Sequence, residues 1–559
     1  MPRWLDQLRP LFRLRVLQLV ALTTLFVVVG QMALRLKYFV LDSDIWWHLK
    51  VGDWIVDHLA VPHTGILSRT AANRPWVAYS WGYEVLLSRA YAWFGLVGLG
   101  VFGTVLTLAV TYSIYWMLRR LAGEFWMALV LTWIVCWSFL FNATPRPLFF
   151  SIALFAVTLS LLFEAHRTGR IETLYWLPVL FLVWANIHIQ FIYGLFVVGL
   201  FVGVKVVQHV ARAFLPASSP IAQALLAAPD DEGGPEGLRR VATLVAILAA
   251  CVLATLLGPY SYHPYLVVLE YSKAKFAYSV IIELQPLGFR HYSQFLELFL
   301  TAAGFFAVGW QAREQKALPL PANTVQPDVS TAQWRENTLR LDLFKLALMT
   351  VGSVVAFRTM RDAWFVCLPA AACIADAIRA YAEDHREHPV ARTVSAERSF
   401  AETFKERWLE GLGVAAAVSL MLVLIANTED FNQRGLDRAI SGGYPVNAIN
   451  FLRRHPVPGP IYNNLNWGGF LMWYMPNDPV AIDGRNDLYG DQLDKIFFDS
   501  QNAEDSYKTD PYLNEAGVVL LDSHLPLAQV LTIDPRFQLV YHDEIATVFA
   551  RRMDLVPQR

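Results

Sequence analysis

The stretch YFVLDSDIWWHLKVGDWIVDHL, residues 38–59, places Asp42 and Asp44 two apart, with His48 one helical turn beyond Asp44. On an extended approach the two carboxylates share a side and repel each other. A shared proton or a cation relieves that repulsion, so the pair reads as a general base or as ligands for Mg²⁺ or Mn²⁺. The structural alternative is that Asp44 caps a helix starting there, with Asp42 a solvated loop residue. Trp46, Trp47 and Trp54 fit an amphipathic helix anchored at a membrane interface.

Other ionisable residues gather at the ends of apolar runs. Glu84 is the single acid of VAYSWGYEVLLSRAYAWF, where it faces either a site or Arg89. Arg146 lies in NATPRPLFF, His188 in WANIHIQF, Glu283 in IIELQP, and Arg358 with Arg361 in FRTMRDAWF. Charge at membrane depth is costly and marks function more often than surface charge does, although an arginine at a span end also snorkels to headgroups. Arg358 and Arg361, three apart, run against the positive-inside trend and suit a phosphate. In the IDGRND turn, Arg485 pairs with a neighbouring carboxylate, or Arg485 or Asp487 reaches an acceptor.

The elements that must position these residues are mostly membrane spans. The chain has 559 residues, of which 55% are hydrophobic and 17% charged. Mean hydropathy is +0.37, beyond the range of soluble globular proteins. Runs long enough for a hydrocarbon core of about 30 Å lie near 16–36, 95–118, 125–142, 148–164, 174–190, 192–209, 240–258, 294–311, 342–358, 363–379 and 409–427, about eleven spans in all. Basic loops (Arg3, Arg9, Arg13 and Arg15; Arg119 and Arg120; Arg167 and Arg170; Arg239 and Arg240; 313–340; 380–407) alternate onto one side, which is therefore cytoplasmic. Loop 37–94 and everything after 428 then lie outside, and 16–36 reads as a retained span, not a cleaved signal.

The expected organisation is a polytopic α-helical domain, 1–428, with interfacial helices in its first outer loop, followed by a small extracytoplasmic α/β domain, 429–559. In that tail, helical patterns (YPVNAINFLRRH, WGGFLMWYM, LYGDQLDKIFFDSQN, LPLAQVL) alternate with strands (GPIYNN, DPVAIDGR, AGVVLLD) and a closing hairpin. Segments 213–238 and 312–333 read as flexible connections. All four cysteines fall within spans, so the exported parts carry no disulfide framework. A net charge of −1 argues against nucleic acid. Walker, nucleophile-elbow, zincin and Cys-His zinc motifs are absent from the sequence.

An Asp-Xaa-Asp opening to the first outer loop, two interfacial helices, about eleven spans and an outer α/β tail together resemble the GT-C superfamily of integral-membrane glycosyltransferases. DSDIWWHLKVGDWI, RPLFF, WANIHIQF, GPYSYHPY, IIELQP and IDGRNDLYGD are similar to a group of bacterial multi-pass proteins placed near those enzymes by architecture. The resemblance implies a bacterial inner-membrane enzyme that moves a sugar from a polyprenyl-phosphate carrier to an extracytoplasmic protein, lipid or glycan. Asp42 and Asp44 match its base or cation-ligand position, and Arg146, Arg358 and Arg361 fall where donor phosphate is held. The chain departs from the pattern at YSWGYE, where a His-Glu-Trp-Leu-like element is expected, and at HIQF, where related chains read His-Gly-Gly-Phe. Those departures keep a second reading open, a non-catalytic membrane scaffold that docks a partner complex. A transporter is disfavoured because the spans show little inverted symmetry.

Overall fold

The computed structural model describes residues 15–34, 37–140, 144–214, 235–314, 342–384, 400–427 and 432–552. Arg3, Arg9, Arg13 and most of segments 213–238 and 312–333 lie outside the described residues. The membrane part comprises α1 (Arg15–Leu34), α2 (Ser43–His58), α3 (Trp81–Ala122), α4 (Phe125–Ser138), α5 (Leu148–Thr168), α6 (Leu177–Ala185), α7 (Phe191–Phe214), α8 (Pro235–Thr255), α9 (Tyr292–Glu314), α10 (Leu343–Arg358), α11 (Trp364–Asp384) and α12 (Phe400–Asn427). A helix occupies each apolar run read from the sequence, but lengths divide them. Among the described residues six, α3, α5, α7, α8, α9 and α11, are long and apolar enough to cross a membrane. Helix α4 with 14 residues spans only about 21 Å. The 3₁₀ turn Glu172–Trp176 followed by α6 reaches about 23 Å, short of a full hydrocarbon core.

Loop 37–94 forms the expected pair of helices with a modification. Its second helix is continuous with the next span, and the chain turns between them at Gly95, whose φ of 61° and ψ of −147° suit a residue without Cβ. Helix α2 ends at Leu59, which takes the left-handed conformation at φ 50°.

In the tail, α13 (Gln433–Gly443), α14 (Val446–Arg454), α15 (Gly468–Tyr474) and α16 (Asn486–Gln501) pack around a sheet of β1 (Ile461–Asn463), β2 (Val518–Asp522), β3 (Phe537–His542) and β4 (Ala546–Arg551). Strand order is β1-β2-β4-β3, parallel between β1 and β2 and antiparallel elsewhere. DPVAIDGR, read as a strand, does not join this sheet. Its backbone is held instead by the Asn463 side chain, which bonds Ala481 N and Ile482 O at 2.8 Å each. Its one bridge, Val480 to Ser68, reaches the first loop.

The tail is thereby clamped on α2. Trp46 is fully buried with its ring edge-on to Phe470 (5.2 Å), Tyr474 (5.8 Å) and Tyr444 (6.0 Å). Trp47 is buried beside Trp76. These two tryptophans are therefore core residues of the loop–tail contact, which corrects their reading as membrane-interface anchors: the tail supplies the apolar surface that a bilayer was expected to supply. Trp54 is half-buried and stacks on His58 at 4.2 Å.

Candidate functional site

Helix α2 begins with Asp42 as its N-cap, the Asp44 N–H donating to Asp42 Oδ1 at 3.0 Å. The capping residue is thus the first aspartate and not the second. Both carboxylates nevertheless meet one partner. Arg146, in the turn before α5, donates from Nε to Asp42 Oδ2 at 2.7 Å and from Nη2 to Oδ1 at 2.9 Å. Its Nη1 lies 3.0 Å from Asp44 Oδ2 and 3.2 Å from Glu283 Oε1. Planar, permanently charged guanidinium is suited to such a fork.

Electrostatics separate the two acids. Burial pushes the Asp42 carboxyl up, but the Arg146 charge and the hydrogen bonds it receives outweigh this and hold it below the usual range. Burial raises Asp44 to about 6, with Arg146 pulling down and the Asp42 charge pushing further up. Arg146 is itself held well above its usual value: burial opposes its charge, and Asp44, Asp42 and Glu283 more than offset that. Asp44 is therefore the member poised to take a proton near neutral pH. The tail reaches this spot too, since a Cβ on Gly484 would stand 2.2 Å from Asp44 Oδ1.

A divalent ion does not fit the pair as built. Asp42 is occupied by Arg146 and the Asp44 amide, and Asp44 by Arg146 and by Trp47 Nε1 at 3.2 Å. Among the described residues no group of three His, Cys, Asp or Glu is placed to hold a metal. Arg146 supplies the positive charge that the sequence reading assigned to a cation or, for this arginine, to donor phosphate.

The other expected residues fall into three situations. His48 and Glu84 meet across α2 and α3, Nδ1 to Oε1 at 3.1 Å, with 5% and 1% exposure. His188 is buried, its Nδ1 2.8 Å from Ser151 Oγ, which accepts from Trp184 Nε1 at 2.7 Å. Burial first, then neighbouring cations, Arg146 for His48 and Arg361 for His188, keep both imidazoles well below their usual pKa. Arg485, by contrast, is fully buried in the tail, bonded to both oxygens of Asp483 at 2.8 Å and to Ile66 O at 3.0 Å, and lies 4.8 Å over the Trp76 ring. That is the structural alternative for Arg485: it locks the tail to the first loop.

Arg358 and Arg361 differ although they are three residues apart. Arg358 is exposed and lies 5.8 Å over the Tyr278 ring. Arg361 is half-buried and makes no ion pair or hydrogen bond among the described residues. Its electrostatic neighbours are Tyr271, Glu283, Tyr79 and Asp362. Asp362 does not neutralise it directly, because that carboxylate accepts from Tyr193 (2.8 Å), Thr359 (2.9 Å) and Gln190 (3.1 Å). Tyr79 stands beside His188, ring centroids 6.3 Å apart. The sequence reading missed Tyr79 and Tyr271 and named Asp487 only as an alternative acceptor contact. Asp487 accepts from Trp76 at 2.9 Å and is raised by burial to about 6; its place beside Arg485 in IDGRND is the signal that singled it out.

No family model matches the chain, and no curated protein matches it. Solved structures similar to it include the crystal structure of ArnT from Cupriavidus metallidurans bound to undecaprenyl phosphate, at 14% identity and a TM-score of 0.40, over 96% of this chain and 99% of that one.

Proposed function

We propose that the protein is a membrane glycosyltransferase that transfers a sugar from a polyprenyl-phosphate donor to an acceptor hydroxyl on the extracytoplasmic face of a bacterial inner membrane. The observation that carries this reading is Arg361, a half-buried guanidinium with no ion pair or hydrogen bond among the described residues, which shares the neighbour Glu283 with Asp44, a carboxyl whose proton affinity suits a base near neutrality. Glu283 and Asp362 lie near Arg361 without pairing with it, and a phosphate would accept the hydrogen bonds its guanidinium leaves unmade.

In the transfer, Asp44 takes the acceptor proton as the new C–O bond forms at the sugar. The bond from that sugar carbon to the phosphate oxygen breaks, and its electron pair leaves on the polyprenyl phosphate. Arg361, with Arg358 at the rim, stabilises the departing phosphate. Asp42 and Arg146 hold Asp44 in place, and the tail covers the acceptor side.

The test is transfer by the purified protein from polyprenyl-phosphate sugars into a membrane extract, compared with Asp42→Asn, Asp44→Asn and Arg361→Met. Transfer by the native chain that Asp44→Asn and Arg361→Met abolish supports the assignment. Transfer surviving both changes refutes it, and a native chain inert with every donor leaves the scaffold reading in possession.

A further inference from the structure

His48 and His188 come from different elements and are anchored by different partners, yet they end in the same condition. In each, Nδ1 is engaged: by Glu84 Oε1 at 3.1 Å for His48 and by Ser151 Oγ at 2.8 Å for His188. In each, Nε2 has no partner among the described residues, and neither Nε2 is among the sealed, unpartnered atoms. The two rings are electrostatic neighbours, with Arg146 and Arg485 also facing His48 and Arg361 facing His188.

The anchors bear on which nitrogen carries hydrogen. Ser151 Oγ accepts from Trp184 Nε1 and keeps its own hydrogen available for His188 Nδ1; with that hydrogen on Nδ1 the ring proton lies on Nε2. The His48–Glu84 pair is buried, and no cation forms an ion pair with Glu84 among the described residues. An uncompensated charge there would be costly, so the pair is net neutral and holds one shared proton. With that proton shared along the Oε1···Nδ1 contact, Nε2 of His48 carries hydrogen. Both histidines then present an Nε2–H donor, with Arg146 the first cation near His48 and Arg361 the cation near His188.

We propose that His48 and His188 form the subsite for the transferred group, two N–H donors that bind hydroxyl or ring oxygens of a sugar attached to the phosphate at Arg361. This rests on the donor reading given above. Donors of this kind bind neutral oxygens without adding charge to a site that already holds Arg146 and Arg361, and a hydrogen bond lost from a buried site costs about tenfold in affinity. Glu84 and Ser151 are positioning residues that act through the rings.

The test uses the full chain in detergent and two probes, farnesyl phosphate and farnesyl-phosphoryl mannose, with binding measured by calorimetry. The native protein is expected to bind the sugar-bearing probe at least about tenfold more tightly than the bare phosphate. His48→Leu and His188→Leu are expected to lose that preference while keeping the affinity for farnesyl phosphate, which also shows that they fold. Glu84→Gln, whose amide N–H can still donate to Nδ1, is expected to keep the preference within about threefold, and Glu84→Leu to lose it. A preference unchanged in both leucine variants, or absent in the native protein, overturns the inference. Failure to bind farnesyl phosphate at all would instead count against the donor reading.

Discussion

Two polar clusters sit at opposite ends of the helical bundle, and they are built to different standards. At the end away from the tail, Lys345 Nζ donates to Asp376 Oδ2 (2.6 Å) and Gln311 Oε1 (2.8 Å) and lies 3.3 Å from Asp342 Oδ2. Gln311 returns a bond to Asp376 at 3.0 Å, His166 reaches Asp342 at 2.7 Å, and Asp342 caps α10 through Lys345 N. Three ammonium hydrogens meet three acceptors, and the loose end is His166 Nδ1. At the tail end, Asp42 and Arg146 are equally well matched, but Arg361 and the Nε2 atoms of His48 and His188 have no partner among the described residues. Buried polar groups that only hold a fold together are satisfied. Hydrogen-bonding atoms left open together, such as these, are the form a binding site takes before its ligand arrives.

That contrast can be broken by mutation, and the largest effect belongs to the satisfied end. Lys345→Met strands Asp376 and Asp342 in a buried setting, so unfolding in detergent is expected to become easier by about 3–5 kcal/mol. Adding Asp376→Asn should restore part of it. Affinity for polyprenyl phosphate in the folded fraction should stay unchanged. A loss of binding without loss of stability would mean that the far cluster belongs to the site.

Asp44→Asn should act in the opposite sense. Asparagine keeps an oxygen for the Trp47 N–H and gives up the Arg146 ion pair, but Asp42 and Glu283 still compensate that arginine, so the fold should survive with a modest loss of stability while transfer falls at least about 100-fold through loss of the base. Arg361→Met comes next. Affinity for undecaprenyl phosphate should drop about tenfold or more, and stability should change little, since the guanidinium makes no ion pair or hydrogen bond among the described residues. Destabilisation by Arg361→Met would show that the guanidinium has a structural partner after all.

Much of this arrangement was legible in the residues, for identifiable reasons. Apolar runs gave the helices because a bilayer imposes length and hydropathy on contiguous sequence, and Asp42 and Asp44 stood out because two charges so close need a common partner. What escaped was whatever depends on distant segments meeting. Arg146 is 104 positions from Asp42, and nothing local distinguishes a counter-ion from a phosphate ligand. Trp46 and Trp47 were misplaced because an aromatic face looks the same whether lipid or the tail's Phe470 covers it. DPVAIDGR has a strand's composition, but Asn463 occupies its hydrogen bonds. Lys345 and Asp376 went unremarked because each is a lone charge inside an apolar run until the helices pack.

The smallest expected effect tests the tail-end cluster most finely. With Asp44 raised to about 6, the base is ionised above that pH and protonated below it. Transfer should therefore be level above about pH 7, half-maximal near 6, and fall about tenfold per unit further down. Burial is the main cause of the raised value, and the negative charge of Glu283 contributes in the same direction. Glu283→Gln removes that charge and leaves more of Arg146 to stabilise the Asp44 carboxylate. Both changes favour ionisation, so the inflection should move down by a fraction of a unit with the plateau rate retained. Lys345→Met, at the other end of the bundle, should leave the inflection where it is. An inflection that Glu283→Gln leaves in place or moves upward would mean that the titrating group is not Asp44, and Asp487, raised to a similar value on the tail side, would become the base to test.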